Sequence, residues 1–297
     1  MGEALDLYAT DREAHIAAPE RLGYALTALL SFWGALRVSD VKGATCRRYA
    51  KLRGRSDGTV RRELGVLRAA LRHAEVEGVI THAPAVWLPE RPAPKERHLS
   101  RDEVAWLLRA SRRLRVDGRH LSRFILASVY TGTRKAATLG LGIDQPSSRG
   151  GWVDTERGVL YRQAEGRRQT KKRQPPVRMP RRLLAHVRRW KRLGARHVVE
   201  DYRGAQIGDV KNAWKRCAVR ATSMARAKGA DVDLVGITPH VLRHTCATWL
   251  MQSGADRWDA AGFLGMSMET LERVYGHHHP DHQKSAVDAM DRGRKRA

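Results

Sequence analysis

The chain has 297 residues, of which 56 are Lys or Arg and 31 are Asp or Glu, leaving a formal net charge of +25. A surplus of that size exceeds what solubility requires and predicts a polyanionic partner, nucleic acid first and a membrane surface second. Apolar residues make up 42%, enough for one large or two medium cores, yet no run reaches the ~18 consecutive apolar residues of a membrane-spanning helix.

The first residues, MGEALDLYATDREAH, are acidic and lack the basic start and apolar run of a signal peptide. In ERLGYALTALLSFWGAL, residues 20–36, Leu22, Leu26, Leu29, Trp33 and Leu36 share one helical face. In TVRRELGVLRAALRHAEVEGVI, residues 59–80, Val60, Leu64, Leu67, Leu71 and Ala74 form a second stripe. Arg61, Arg62, Arg68 and Arg72 lie largely off that stripe, so this helix is expected to pack on one side and meet phosphates on the other. Pro84, Pro89, Pro92 and Pro94 then crowd HAPAVWLPERPAPKERH, which excludes regular helix and sheet ladders and predicts a linker with a boundary near residue 95. Helix restarts at LSRDEVAWLLRA, where Ser100 and Glu103 have the capping-box spacing, and another helix fits SRFILASVY.

WVD, GVLYR and PVRMP within residues 150–180 are short strand-like runs separated by charged turns, which predicts a small antiparallel sheet. Helices resume with RRLLAHVRRWKRL and IGDVKNAWKRCAVRATSMA, the latter with Trp214 as an expected core anchor. Thr238 and Pro239 suit a helix start. The end, DRGRKRA, reads as a loose basic tail. Cys46, Cys217 and Cys246 are odd in number, far apart and outside any Cys-x-x-Cys spacing, so no disulfide framework is expected and the predicted setting is reducing and cytoplasmic.

The chemistry concentrates in HVLRHTCATWL, residues 240–250. His240 and Arg243 fall three apart on a helix with its apolar residues on the other side. An Arg and a His beside free helix N–H groups make a site for a phosphate. His244 reads more readily as a structural partner than as a catalyst. His277, His278, His279 and His282 invite a metal reading, but Pro280 interrupts them and no His-Glu-x-x-His pattern occurs, so neither a metal nor any cofactor is expected. The Gly-rich pieces TLGLG and SRGG lack the Lys-Ser/Thr of a phosphate loop.

Upstream lies YTGTRKAATLGL with Arg134; between is RRQTKKRQPPVRMP with Lys171 and Lys172; downstream is FLGMSMETLERVYGHHHPDH with Tyr275 nine residues beyond Met266. This order resembles the tyrosine recombinase family, the integrases of phages and mobile elements, and the resemblance covers nearly the whole chain. It implies a mainly α fold with a small antiparallel sheet in two domains, a helical core-binding domain (1–92) and a mixed α/β catalytic domain (99–297), joined by a linker (93–98) and gripping duplex DNA. It implies Tyr275 as nucleophile, forming a 3′-phosphotyrosyl link without metal or nucleotide. Arg134 and Arg243 would hold the non-bridging oxygens. Lys172, with Lys171 as the alternative, would protonate the leaving 5′-oxygen, and His240 would assist with the tyrosine proton or hold a phosphate oxygen. The implied partners are double-stranded recombination sites and a tetramer on DNA, with a monomer possible in solution and the segment after Tyr275 reaching a neighbour. Two positions depart from the pattern: Met266 stands where a His or Trp is usual after Leu264-Gly265, and Ala137 stands where an acidic residue is common three after Arg134. They leave open a non-cleaving DNA-binding protein on the same scaffold, and a resolution or transposon recombinase instead of an integrase.

Overall fold

The computed structural model describes residues 1–13, 15–16, 19–92, 97–116, 118–146, 150–166 and 173–293. The chain divides into two compact units, Met1–Lys95 and Glu96–Ala297. The linker expected at 93–98 falls mostly on residues outside the described ones.

The first unit is built from α1 (Gly2–Glu13), α2 (Pro19–Trp33), α3 (Gly43–Arg53) and α4 (Asp57–Val76). All five stripe residues of α4 are buried, and they pack with Leu5, Leu29 and Trp33. Arg62, Arg68 and Arg72 face solvent, while Arg61 donates to the carbonyl of Pro89. α1 has no periodic apolar face to announce it: only Ala4 and Leu5 are buried, so tertiary packing on α4 forms this helix. The buried carboxylate of Glu63 accepts from Tyr49 at 2.7 Å and from Arg53 at 2.9 Å, which ties α3 to α4. The proline-rich stretch is extended, but it does not hang free. Val86, Trp87 and Leu88 pack against the helical core and Arg47 lies over the Trp87 ring.

The second unit contains α5 (Arg101–Arg112), α6 (Gly118–Thr131), α7 (Lys135–Leu139), α8 (Arg181–Arg192), α9 (Lys211–Arg226), α10 (Val241–Gln252), α11 (Arg257–Leu264), α12 (Met268–Tyr275) and α13 (Lys284–Gly293). α5 opens with the predicted capping box: Ser100 Oγ accepts from the Glu103 amide and the Glu103 carboxylate accepts from the Ser100 amide. Helices α5, α6, α9 and α10 enclose one core in which Trp214 is fully buried, its indole N–H on the Ile237 carbonyl at 2.8 Å. The chain entering this unit is fastened to α10, since the Leu99 amide donates to Thr245 Oγ1 and the Trp249 indole to the Leu99 carbonyl. Among the described residues no helix is long and apolar enough to cross a membrane.

A four-stranded sheet in the order β1-β2-β3-β4 lies beside the helices, with β1 at Gly142–Ile143, β2 at Trp152–Asp154, β3 at Val159–Tyr161 and β4 at Val177–Arg178. Three of these strands fall on the predicted runs, but the sheet is mixed, not antiparallel. β1 pairs with β2 in parallel, whereas β2–β3 and β3–β4 are antiparallel. A strand as short as β1 has no alternation to read, and distant backbone fixes it: Ile143 donates to the Arg196 carbonyl and Val198 to that of Leu141. Two helix ends also differ from the sequence reading. α10 starts at Val241 with His240 as its N-cap, not at Thr238, because the preceding residues close tighter turns, Val241 onto Thr238 and Leu242 onto Pro239. The expected loose tail begins as the solvent-exposed α13, and residues 294–297 lie outside the described ones.

Because the Ser100 cap satisfies an otherwise orphaned helix amide, Ser100→Ala is expected to cost about 0.5–2 kcal/mol. Calorimetry of the full chain should show the loss in the melting of the second unit, with that of the first unchanged.

Candidate active site

Three backbone devices bring the site together. The first is the turn after α6. Gly132 has φ +62°, and a Cβ there would stand 2.5 Å from Leu264 Cδ2 and 3.3 Å from Cys246 Sγ. Only glycine lets this turn nest against α10 and α11. Arg134, two residues on, is the N-cap of α7 and is half-buried, with Nη1 donating to the Arg173 carbonyl at 2.9 Å. The second is the first turn of α10, which places exposed His240 at the helix entrance and buried Arg243 one turn in. Arg243 Nη1 donates to the Gly132 carbonyl at 2.7 Å, joining α10 to the Arg134 turn. The third is Gly265, the left-handed cap of α11. A Cβ there would lie 2.6 Å from Pro175 Cδ and 2.8 Å from the Arg173 carbonyl. The segment leading into β4 therefore lies directly on the Leu264-Gly265 turn.

Tyr275 ends α12 and is buried, at 6% exposure, in a cluster with Cys246, Ala247, Met251, Leu264 and Leu271. Its hydroxyl meets His244 Nδ1 at 2.7 Å. Met266 is half-buried and packs against the same cluster. Burial, aided by the charges of His240 and Arg243, pushes the His244 imidazole down to about 4. The ring is therefore neutral near pH 7, and in the tautomer with Nε2 protonated the phenol donates to a bare Nδ1. Burial raises Tyr275 above the usual phenol range, with Arg243 pulling the other way. Tyr275 is thus a protonated phenol resting on a histidine.

Arg134, His240, Arg243 and Tyr275 meet at the N-terminal end of α10 and feel one another's charge. Partial loss of hydration on the pocket side of its exposed ring, then the charges of Arg243 and Arg134, hold His240 below its ordinary range. Burial and Arg134 bring Arg243 down to about 10. Lys171 and Lys172 lie outside the described residues. His244, read from the sequence as a structural partner, sits on the Tyr275 hydroxyl. One residue of the site escapes the sequence reading: Arg162, just past β3, which is 4% exposed. Arg162 donates to Thr133 Oγ1 at 3.0 Å, to the Phe263 carbonyl at 2.7 Å and to the carbonyls of Thr131 and Pro175. One guanidinium thus fastens the Arg134 turn, the end of α11 and the approach to β4. Burial, followed by the neighbouring charge of Arg243, brings Arg162 down to about 9. The readable signal was its register, since alternation along β3 puts Arg162 on the same inward face as Leu160. Among the described residues no ion pair joins a carboxylate to Arg134, Arg162 or Arg243, and no group of three or more His, Cys, Asp or Glu could hold a metal ion.

Comparison with known proteins bears on the family and the fold. The phage integrase family matches residues 97–282. A tyrosine recombinase XerC of Pseudomonas aeruginosa (strain LESB58) is 26% identical over 288 residues, covering 96% of this chain and 87% of that protein. A tyrosine recombinase XerC of Pseudomonas syringae pv. syringae (strain B728a) is 28% identical over 289 residues, covering 93% and 87%. Among solved structures, the Tn1549 transposon integrase in complex with transposon right end DNA superposes with a TM-score of 0.74 at 18% identity, covering 97% of this chain and 99% of that one. The chain belongs to the phage integrase family, the tyrosine recombinases, whose function is site-specific DNA recombination through a catalytic tyrosine.

The neutral state of half-buried His244 has a measurable consequence. Its folded value of about 4 lies below the ordinary 6.5. Between those values the unfolded chain binds a proton that the folded chain refuses, so stability falls as pH drops from about 6.5 toward 4 and this contribution levels off below. Above 6.5 both states are neutral and His244 contributes no slope. Melting temperatures between pH 7 and 4 should fall less steeply for His244→Gln than for the parent chain. Parallel curves would contradict the assignment.

Proposed function

We propose that this protein is a site-specific DNA recombinase that cuts and rejoins duplex DNA through a 3′-phosphotyrosyl link to Tyr275, in the integration and excision of DNA. The observation that carries the proposal is a buried tyrosine hydroxyl beside arginines that have no carboxylate partner among the described residues, in a chain of net charge +25. A phosphodiester gains charge on its equatorial oxygens as it becomes pentavalent. Planar, always-cationic guanidinium groups suit that charge in a water-poor pocket. Arg134 and Arg243 take this role, and the scissile phosphate replaces the Arg173 carbonyl as the partner of Arg134. Tyr275 attacks, and the 5′-oxygen leaves with a proton from Lys172, the general acid that the family resemblance assigns. Attack by another 5′-hydroxyl reverses these steps and restores the backbone, so the phosphodiester energy is kept in the protein–DNA bond. His240, at the open end of the pocket, is placed to hold a phosphate oxygen.

Double-stranded DNA is the proposed partner, and the similar Tn1549 integrase and a lambda integrase dimer (TM-score 0.67, 14% identity) were solved on DNA. Joining two duplexes takes four cleavages, so we infer a tetramer on DNA. Its setting is the cytoplasm, consistent with three free, buried cysteines. The XerC relatives leave a resolution role as the competing assignment for the same chemistry; plasmids carrying captured sites on one molecule or on two separate molecules distinguish resolution from integration.

A second reading, a DNA-binding protein that does not cleave, draws on Met266 and Ala137. Methionine offers no hydrogen-bond donor, and with alanine at 137 the Arg134 guanidinium is held by a carbonyl instead of a carboxylate.

Incubation with a library of nicked duplexes of randomised core, followed by denaturing isolation of protein-linked DNA, should recover covalent adducts. Tyr275→Phe should bind the recovered duplexes and form none. Adducts surviving in that variant would show a misassigned nucleophile, and binding without any adduct from the parent chain would favour the second reading. Met266→His should raise the single-turnover cleavage rate by up to about 10²-fold, the worth of one added transition-state donor, with little change in duplex affinity. An unchanged or lower rate in the folded variant would mean that the pocket is complete with methionine.

A further inference from the structure

We propose that His244, and not His240, is the group that takes the proton from Tyr275 during cleavage, an assignment that rests on the recombinase reading above. His244 Nδ1 is 2.7 Å from the Tyr275 hydroxyl, within direct transfer distance. His240 shows no hydrogen bond to Tyr275; its ring stands edge-on to that of His244, centroids 4.8 Å apart, at the exposed entrance of the pocket. The two histidines of His-x-x-Arg-His therefore divide the work. The outer one faces the arginines and the incoming phosphate, and the inner one faces the nucleophile.

The step balances. The Tyr275 Oη–P bond forms as the P–O5′ bond breaks, the phenol proton moves to His244 Nδ1, and the 5′-oxygen takes a proton from the general acid assigned to Lys172. Religation returns the proton from Nδ1 to Oη. At rest the transfer is blocked, because half-buried His244 is partly stripped of water and faces His240 and Arg243, which disfavour an imidazolium. A phosphate seated between Arg134 and Arg243 supplies the negative charge that offsets those neighbours. The base becomes competent only when DNA occupies the pocket, which keeps a buried nucleophile unreactive in its absence.

The test uses the full chain and a nicked duplex recovered from the randomised library. His244→Ala removes the base. His244→Gln keeps an oxygen that accepts the Tyr275 hydrogen bond but cannot take its proton. Both variants should bind the duplex like the parent and form adduct about 10²–10⁴-fold more slowly, the usual worth of a positioned base. A duplex with a 5′-bridging sulfur leaves as a thiolate that needs no acid, so it should restore Lys172→Ala but neither His244 variant. A parent-like rate for His244→Gln would overturn the proposal and reduce His244 to a positioning residue. Restoration of the His244 variants by sulfur would overturn it too, placing His244 on the leaving-group side. If His244→Ala fails to fold, His244→Gln carries the test alone. If the parent chain captures no duplex, or Tyr275→Phe captures as well as the parent, the recombinase reading itself fails; slow His244 variants beside an active, Tyr275-dependent parent support both.

Discussion

Two guanidinium groups, those of Arg162 and Arg243, lie inside the protein with backbone carbonyls and a hydroxyl as their hydrogen-bond partners. Burying a charge costs several kcal/mol even after relaxation, and neutral acceptors offset only part of that cost. The imbalance is what the rest of the site depends on. It draws the backbone of Thr131, Gly132, Phe263 and Pro175 onto the two side chains, while burial, with the charges of His240 and Arg243, holds His244 neutral and burial keeps Tyr275 a phenol. On the proposed function the pocket is a receptor for an anion built in advance, as electrostatic stabilisation of a developing charge demands.

That constraint explains why glycine stands at 132 and 265. Each sits where backbone must approach closer than a Cβ permits, with φ in the left-handed region. Gly132 brings the Arg134 turn under α10, and Gly265 receives the Arg173–Pro175 backbone. Arg162 ties the same three segments from beneath. The positions that depart from the family pattern, Met266 and Ala137, sit around this framework and leave its hydrogen bonds intact. On the proposed function they alter how many donors reach the phosphate, not whether the arginines converge.

Much of this was legible in the sequence because it is carried by local pattern. The α4 stripe, the Ser100 capping box and the Trp214 anchor are set by periodicity and short-range hydrogen bonds, and each is present in the structure. The order of Arg134, His240, Arg243 and Tyr275 along the chain pointed to one pocket, and their common place at the start of α10 is a tertiary fact. What the sequence reading missed is likewise tertiary. β1 is too short to alternate and pairs in parallel through distant backbone. α1 is a helix because α4 offers it a surface. That Tyr275 is the partner of His244 cannot be read from spacing, and Arg162 looks like a strand-end charge until its carbonyl partners, up to 101 residues away, are in view.

The central claim is that this uncompensated arginine pocket receives the scissile phosphate opposite Tyr275. The most direct measurement is a crystal structure of Tyr275→Phe on a duplex that the parent chain captures. The account predicts a phosphate whose non-bridging oxygens lie about 2.7–3.2 Å from both Arg134 and Arg243, facing the ring at position 275. A duplex bound with its phosphates elsewhere, and Arg134 still on the Arg173 carbonyl, would contradict it.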